Sequence, residues 1–89
     1  MTLPKRTFTA ANLIPGQTYR VIKAFKDYDE VTHPISEVWR FTEKNFLPYE
    51  DGLSLFVEMN GQKTSFRLRW REESQGEIID GFSDFVEEM

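Results

Sequence analysis

The 89-residue sequence has no cysteine and a single histidine, His33. Without thiols there is neither a disulfide framework nor a thiolate metal site. One imidazole falls short of the usual zinc ligand set. The acidic run Asp27-Tyr28-Asp29-Glu30 lacks the spacing and central glycine of a calcium loop. No GxSxG or comparable motif sets a nucleophile beside a base. Paired carboxylates occur throughout the chain and single out no site. The expectation is a protein that is not an enzyme and needs no metal or cofactor. Long apolar runs are also missing: nothing approaches the roughly 18 residues of a membrane span. The opening stretch MTLPKRTFTAANLIPG lacks the apolar core of a secretory signal. A cytoplasmic protein off the membrane is expected, and a reducing compartment fits the absence of cysteine. Positive charge is outnumbered, 11 basic against 15 acidic residues, for a net charge of −4. A chain of that charge repels nucleic acid unless its cations are segregated.

What is present centres on Gly52 to Trp70. Asn60-Gly61 is a strong type I′ turn signal, because both residues accept positive φ. A two-residue loop sets Met59 opposite Gln62, and the pairs run outward to Leu55 with Phe66 and Leu53 with Leu68. One face then carries Leu53, Leu55, Val57, Phe66, Leu68 and Trp70. The other carries Ser54, Phe56, Ser65, Arg67, Arg69 and Arg71. A slip of one residue would scramble this sorting.

Upstream, Met1 to Asn12 reads as a partly disordered arm in which Leu3 and Phe8 can dock, and residues 13–89 as one domain. Leu13 to Gly16 marks a turn. Gln17 to Phe25 reads as a strand, interrupted near Lys23, with Tyr19, Val21 and Phe25 on one side. Lys26 to Pro34 is polar and reads as a long loop. Ser36 to Glu43 is a second strand with Trp39 and Phe41 inward. Lys44 to Asp51 reads as a connection, because Pro48 argues against a central strand. In the tail, Ile78, Ile79, Phe82, Phe85 and Val86 recur at spacings of three and four. That stripe predicts a short helix within Glu77 to Met89, weakened by Gly81. Aromatics, 15% of the chain, supply the bulk that so small a core needs.

Six residues stand out as candidates for contact with a partner. Tyr28 and Tyr49 are aromatics in polar connections. Phe56 is an apolar residue on the polar hairpin face, with coverage by Phe82 or Phe85 of the tail as the favoured reading. Arg67 and Arg69 belong to a stripe, continued by Arg71, that could hold phosphate or pair with Glu50, Asp51 and the acidic tail; the net charge favours pairing. His33 is either a site residue or a loop histidine that caps a turn or packs on an aromatic ring, the loop reading preferred. Trp39 and Trp70 are assigned to the core.

The number and spacing of the elements point to a mainly β fold, a small antiparallel barrel with a short C-terminal helix. Two resemblances bear on this. AFKDYDE and ISEVWRF resemble the segment opening the long first loop of SH3 domains and the run that follows it. The tryptophan pair and the late Pro-x-x-Tyr segment of those domains are missing. The chain is also similar to an uncharacterised family of small bacterial proteins with the pattern PGxxYxV, HPxxExW, NFxPYExGLSLF. Pro15, Gly16, Tyr19, Val21, His33, Pro34, Glu37, Trp39, Asn45, Phe46, Pro48, Tyr49, Glu50 and Gly52 match it. The SH3 resemblance implies a barrel and a peptide groove lined by first-loop and middle-strand aromatics. The bacterial family implies a fold without a mechanism. The function expected is a noncatalytic, monomeric module that binds another protein. The alternatives are a small acidic inhibitor of the toxin-neutralising kind and a weak nucleic-acid binder through Arg67, Arg69 and Arg71.

Overall fold

The computed structural model describes residues 7–71 and 75–89. A 3₁₀ turn at Ala10–Asn12 precedes β1 (Thr18–Val21), β2 (Phe25–Lys26), β3 (Thr32–His33) and β4 (Val38–Leu47). A second 3₁₀ turn, Pro48–Glu50, leads into β5 (Gly52–Met59) and β6 (Gln62–Arg69). The tail holds α1 (Gly76–Asp80), a third 3₁₀ turn (Phe82–Asp84) and β7 (Val86–Glu88). The fold is mainly β. An antiparallel five-stranded sheet runs in the order β6-β5-β4-β1-β7, with β2 and β3 forming a separate two-stranded ribbon. Among the described residues no ladder joins β6 to β7, so the expected barrel closure is not made by strand pairing.

The hairpin has the predicted register, from Met59 opposite Gln62 through Leu55 opposite Phe66 to Leu53 opposite Leu68. Asn60 and Gly61 sit at φ 54° and 78°, as a type I′ turn requires. Pro15 and Gly16 make the upstream turn, with Gly16 at φ 89° and Gln17 N donating to Ile14 O at 3.0 Å.

β4 departs from the sequence reading. It runs four residues past Glu43, through the segment read as a connection, and Pro48 begins the 3₁₀ turn beyond its end. A bulge between Phe41 and Glu43 makes this possible. One extra residue switches the parity of the strand. Trp39 and Phe41 therefore face the core before it, while Lys44 and Phe46 lie opposite Leu55 and Leu53 after it. Thr42 Oγ1 donates to Phe56 O at 2.8 Å across the bulge.

The tail is not one helix. Gly81 follows the single turn of α1, a 3₁₀ turn carries Phe82, and the last residues pair with β1, Val86 opposite Val21 and Glu88 opposite Tyr19. Ile79, Phe82 and Val86 are fully buried, but from three different elements. The three-four spacing arises from successive short elements crossing one core, not from a helical stripe. Phe82 packs against Phe25 and Trp39, on the apolar side of the sheet. It therefore does not cover Phe56, whose side chain points to the other face.

The core joins Tyr19, Val21, Trp39, Phe41, Leu53, Leu55, Val57, Phe66 and Leu68 to the buried tail residues. Phe8 and Ala10 are also buried, with Phe8 against Tyr19 at 5.7 Å between ring centroids. The packed region thus reaches into the segment read as an arm. Leu3 and the rest of Met1 to Arg6 lie outside the described residues. Trp39 is 1% exposed, as assigned. Trp70 is 38% exposed and is not a core residue: it lies past the end of β6, stacks edge-on against exposed Phe46, and donates Nε1 to Asp80 Oδ1 at 3.0 Å.

Candidate functional site

A groove of about 340 Å³ opens on the outer side of the hairpin. Tyr28, from the loop after β2, forms one wall. Leu47, Tyr49 and Glu50, from the end of β4 and its 3₁₀ turn, form the other. Gly52 and Ser54 of β5 and Arg67 and Arg69 of β6 lie between them. The alternation of the hairpin puts Ser54, Arg67 and Arg69 here, because the odd-numbered residues of β6 point away from the core.

The Tyr28 wall is held from beneath by a buried polar cluster. Asp27 Oδ1 accepts from the backbone of Asp29 at 2.9 Å and Val31 at 3.1 Å, an Asx turn that orders the loop. Asp27 Oδ2 meets His33 Nε2 at 2.9 Å, and His33 Nδ1 meets Glu37 Oε1 at 2.7 Å. The His33 ring stacks on Phe25 at 4.8 Å and leans on Phe66 at 4.4 Å. His33 is 5% exposed, so as a partner-contact candidate it is ruled out by burial; packing on an aromatic ring is its observed role. The carboxylates lie on opposite ring nitrogens, which prevents them from sharing a metal ion. Among the described residues no group of three potential ligands converges on a metal position.

Tyr28 N then donates to Arg67 O at 2.8 Å, which ties the loop to the outer edge of β6. Gln75 covers the next edge groups: its Oε1 accepts from Arg69 N at 2.9 Å, and its backbone N donates to Arg69 O at 3.1 Å. The Tyr28 ring carries a guanidinium from Arg67 and another from Arg69, each 5.4 Å from the centroid.

The arginines are treated unequally. Arg67 Nη2 donates to Asp29 Oδ1 at 2.7 Å. That hydrogen bond, opposed by desolvation and aided by the charge of Arg67, holds the Asp29 carboxyl below its ordinary range. The same bond raises Arg67 above the ordinary arginine range. Arg71 Nε donates to Asp51 Oδ2 at 2.7 Å. Among the described residues Arg69 has no carboxylate partner; its Nη1 makes one long contact with Tyr28 Oη at 3.4 Å, and its Nε is buried with no acceptor. Among the described residues neither Arg67 nor Arg69 pairs with a tail carboxylate, and Asp80 instead takes the Trp70 indole.

The structure therefore gathers four of the six candidates, Tyr28, Tyr49, Arg67 and Arg69, around one groove. Phe56 lies elsewhere, half-buried between Glu43 and Ser65 on the neighbouring strands. Leu47 is absent from the sequence candidates because the end of β4 reads as a connection, and Ser54 shares the Arg67 and Arg69 face without being singled out. Asp27 was legible: an Asp opening a polar, turn-rich loop is the residue type that makes an Asx turn.

A family model, Domain of unknown function DUF3601, matches residues 4–89. The chain belongs to this family. The DUF3601 chain is also similar to a solved structure, an integron cassette protein from the mobile metagenome of Vibrio cholerae. The two share 34% sequence identity over 93% of each chain, with a TM-score of 0.85. No curated protein matches the chain. No helix among the described residues is long and apolar enough to cross a membrane.

Proposed function

We propose that this DUF3601 domain is a noncatalytic interaction module that docks a segment of another protein in the Tyr28–Tyr49 groove. The observation that carries the reading is Tyr49, 99% exposed on the 3₁₀ turn that forms one groove wall. Exposed Tyr28 and Leu47 flank it. An aromatic ring left wholly in water beside a groove is the kind of anchor that protein interfaces bury. The position of Tyr28, in the loop after the first strands and beside the middle hairpin, supports an SH3-like mode of docking. Binding of nucleic acid through the arginine stripe is the weaker reading, because Arg67 and Arg71 already pair with Asp29 and Asp51 and the chain is acidic overall.

A photo-crosslinking residue at Tyr49 tests this in native lysate, with the same residue at exposed Lys63 as control. Capture of a discrete protein from position 49 that is lost on Tyr28→Ala supports the groove. Equal labelling from both positions, or capture indifferent to Tyr28, overturns it.

A further inference from the structure

Every described arginine but one faces a carboxylate. Arg20 pairs with Glu87, Arg40 with Glu58, Arg67 with Asp29 and Arg71 with Asp51. In a chain of net charge −4 the supply of acid is ample, so an arginine left without it is informative. Arg69 is that residue, and it lines the groove. A guanidinium offers several N–H donors in a planar fork that matches a carboxylate. Here one of them reaches a neutral phenol at 3.4 Å, the long limit of a hydrogen bond. The cation is also half-buried, with Nε shielded from solvent and unpartnered. Water therefore compensates it poorly, and an unmade bond to a charged, partly desolvated group costs stability.

We infer that the groove selects a protein segment carrying an acidic side chain next to an aromatic or apolar one, with the carboxylate on Arg69 and the apolar neighbour against Tyr28 and Tyr49. This rests on the groove being the docking site proposed above. The donors still open are on the Nη side of Arg69, since Nε is covered. Glu50 on the groove wall limits the negative charge that the site tolerates. One carboxylate offset by Arg69 is accommodated, whereas a chain of phosphates meets Glu50 and the acidic background.

The test uses two synthetic tripeptides, acetyl-Phe-Glu-Phe-amide and acetyl-Phe-Gln-Phe-amide, titrated into the full chain and followed by ¹H–¹⁵N shifts. Signals from Tyr28, Gly52, Ser54 and the Arg69 side chain report the groove. The Glu peptide is expected to bind at least about tenfold more tightly than the Gln peptide, the lower end for a hydrogen bond to a charged group. Arg69→Gln should bring that ratio close to one, while Arg67→Gln, whose cation is already paired, should leave most of it. Glu50→Gln should raise the affinity for the Glu peptide. Equal binding of both peptides in the groove, or a ratio that survives Arg69→Gln, overturns the carboxylate inference and leaves the docking reading intact. If neither peptide perturbs the groove, the carboxylate inference falls. The docking reading is then decided by the Tyr49 crosslink alone.

Discussion

His33 and Arg69 lie on either side of the Tyr28 loop and are handled in opposite ways. His33 is buried against two phenylalanine rings, and both of its nitrogens meet carboxylates. Arg69 is half-buried at the groove, has no carboxylate partner among the described residues, and makes one long contact to a phenol. Both sit in a chain with acid to spare. A polar group whose bonds are all made inside the fold has nothing left for a ligand, and its work is to hold the loop. A cation with unused donors facing a groove keeps its capacity for something that arrives. The lone histidine draws the eye in the sequence, whereas the structure builds it into the frame and leaves the Nη donors of the arginine open toward the groove.

The sharpest way to break this contrast is to remove each residue in turn. His33→Ala should cost about 3–5 kcal/mol, because Asp27 and Glu37 each lose a hydrogen-bond partner, at about 1–3 kcal/mol for a buried group, and a ring packed against Phe25 and Phe66 is removed. Arg69→Ala should stay within about 1 kcal/mol, as for substitutions away from buried networks. Chemical denaturation measures both. Comparable losses would show that the arginine is part of the frame.

The two tryptophans extend the contrast to packing. Trp39→Ala should destabilise by about 3–5 kcal/mol, as for large buried rings, even though its indole N–H is buried without an acceptor. Trp70→Ala, removing a ring 38% exposed, should cost clearly less. Equal melting temperatures for the two variants would overturn the placement of Trp70 at the rim.

Asp27→Asn tests the clamp more gently, since it preserves shape and removes a charge. A loss of about 1–3 kcal/mol is expected for a buried group left with imperfect partners. The amide of Tyr28, bonded to Arg67 O, should also exchange faster with solvent. An unchanged exchange rate would separate the clamp from the groove wall.

The smallest effect concerns Asp29. Its carboxyl lies below the ordinary value of 3.8 because Arg67 donates to it. For a lowered acid, the stabilisation is complete above pH 3.8 and is lost as pH falls through the lower folded value. Both groups are exposed to solvent, so the effect is slight. Asp29→Asn should therefore flatten the acid limb of the stability profile only a little and leave neutral pH almost unchanged. A large neutral-pH loss would mean that the pair carries the loop.

Local chemistry fixed the parts that adjacent residues decide. Asn60-Gly61 accepts the backbone angles of a two-residue turn, and that turn alone sets every pair from Met59 with Gln62 to Leu53 with Leu68. It also put Arg67 and Arg69 on the outer face, where the groove lies. The inward side of Trp39 and the burial of Tyr19 and Val21 follow from strand parity in the same way. What tertiary structure decided were the features that depend on distant partners. The bulge at Thr42 lets β4 continue along β5 to Leu47, and no local signal marks it. The tail became a turn of helix, a 3₁₀ turn and a strand because β1 had an open edge to pair, and a spacing of three and four cannot distinguish those pieces from one helix. Trp70 moved to the rim because the hairpin outruns the core that covers it. The pairing of the arginines was settled last of all. Asp51 is a partner the sequence names for the stripe, and it takes Arg71, whereas Asp29 comes from a distant loop, and only the folded chain brings it to Arg67 while leaving Arg69 without acid among the described residues.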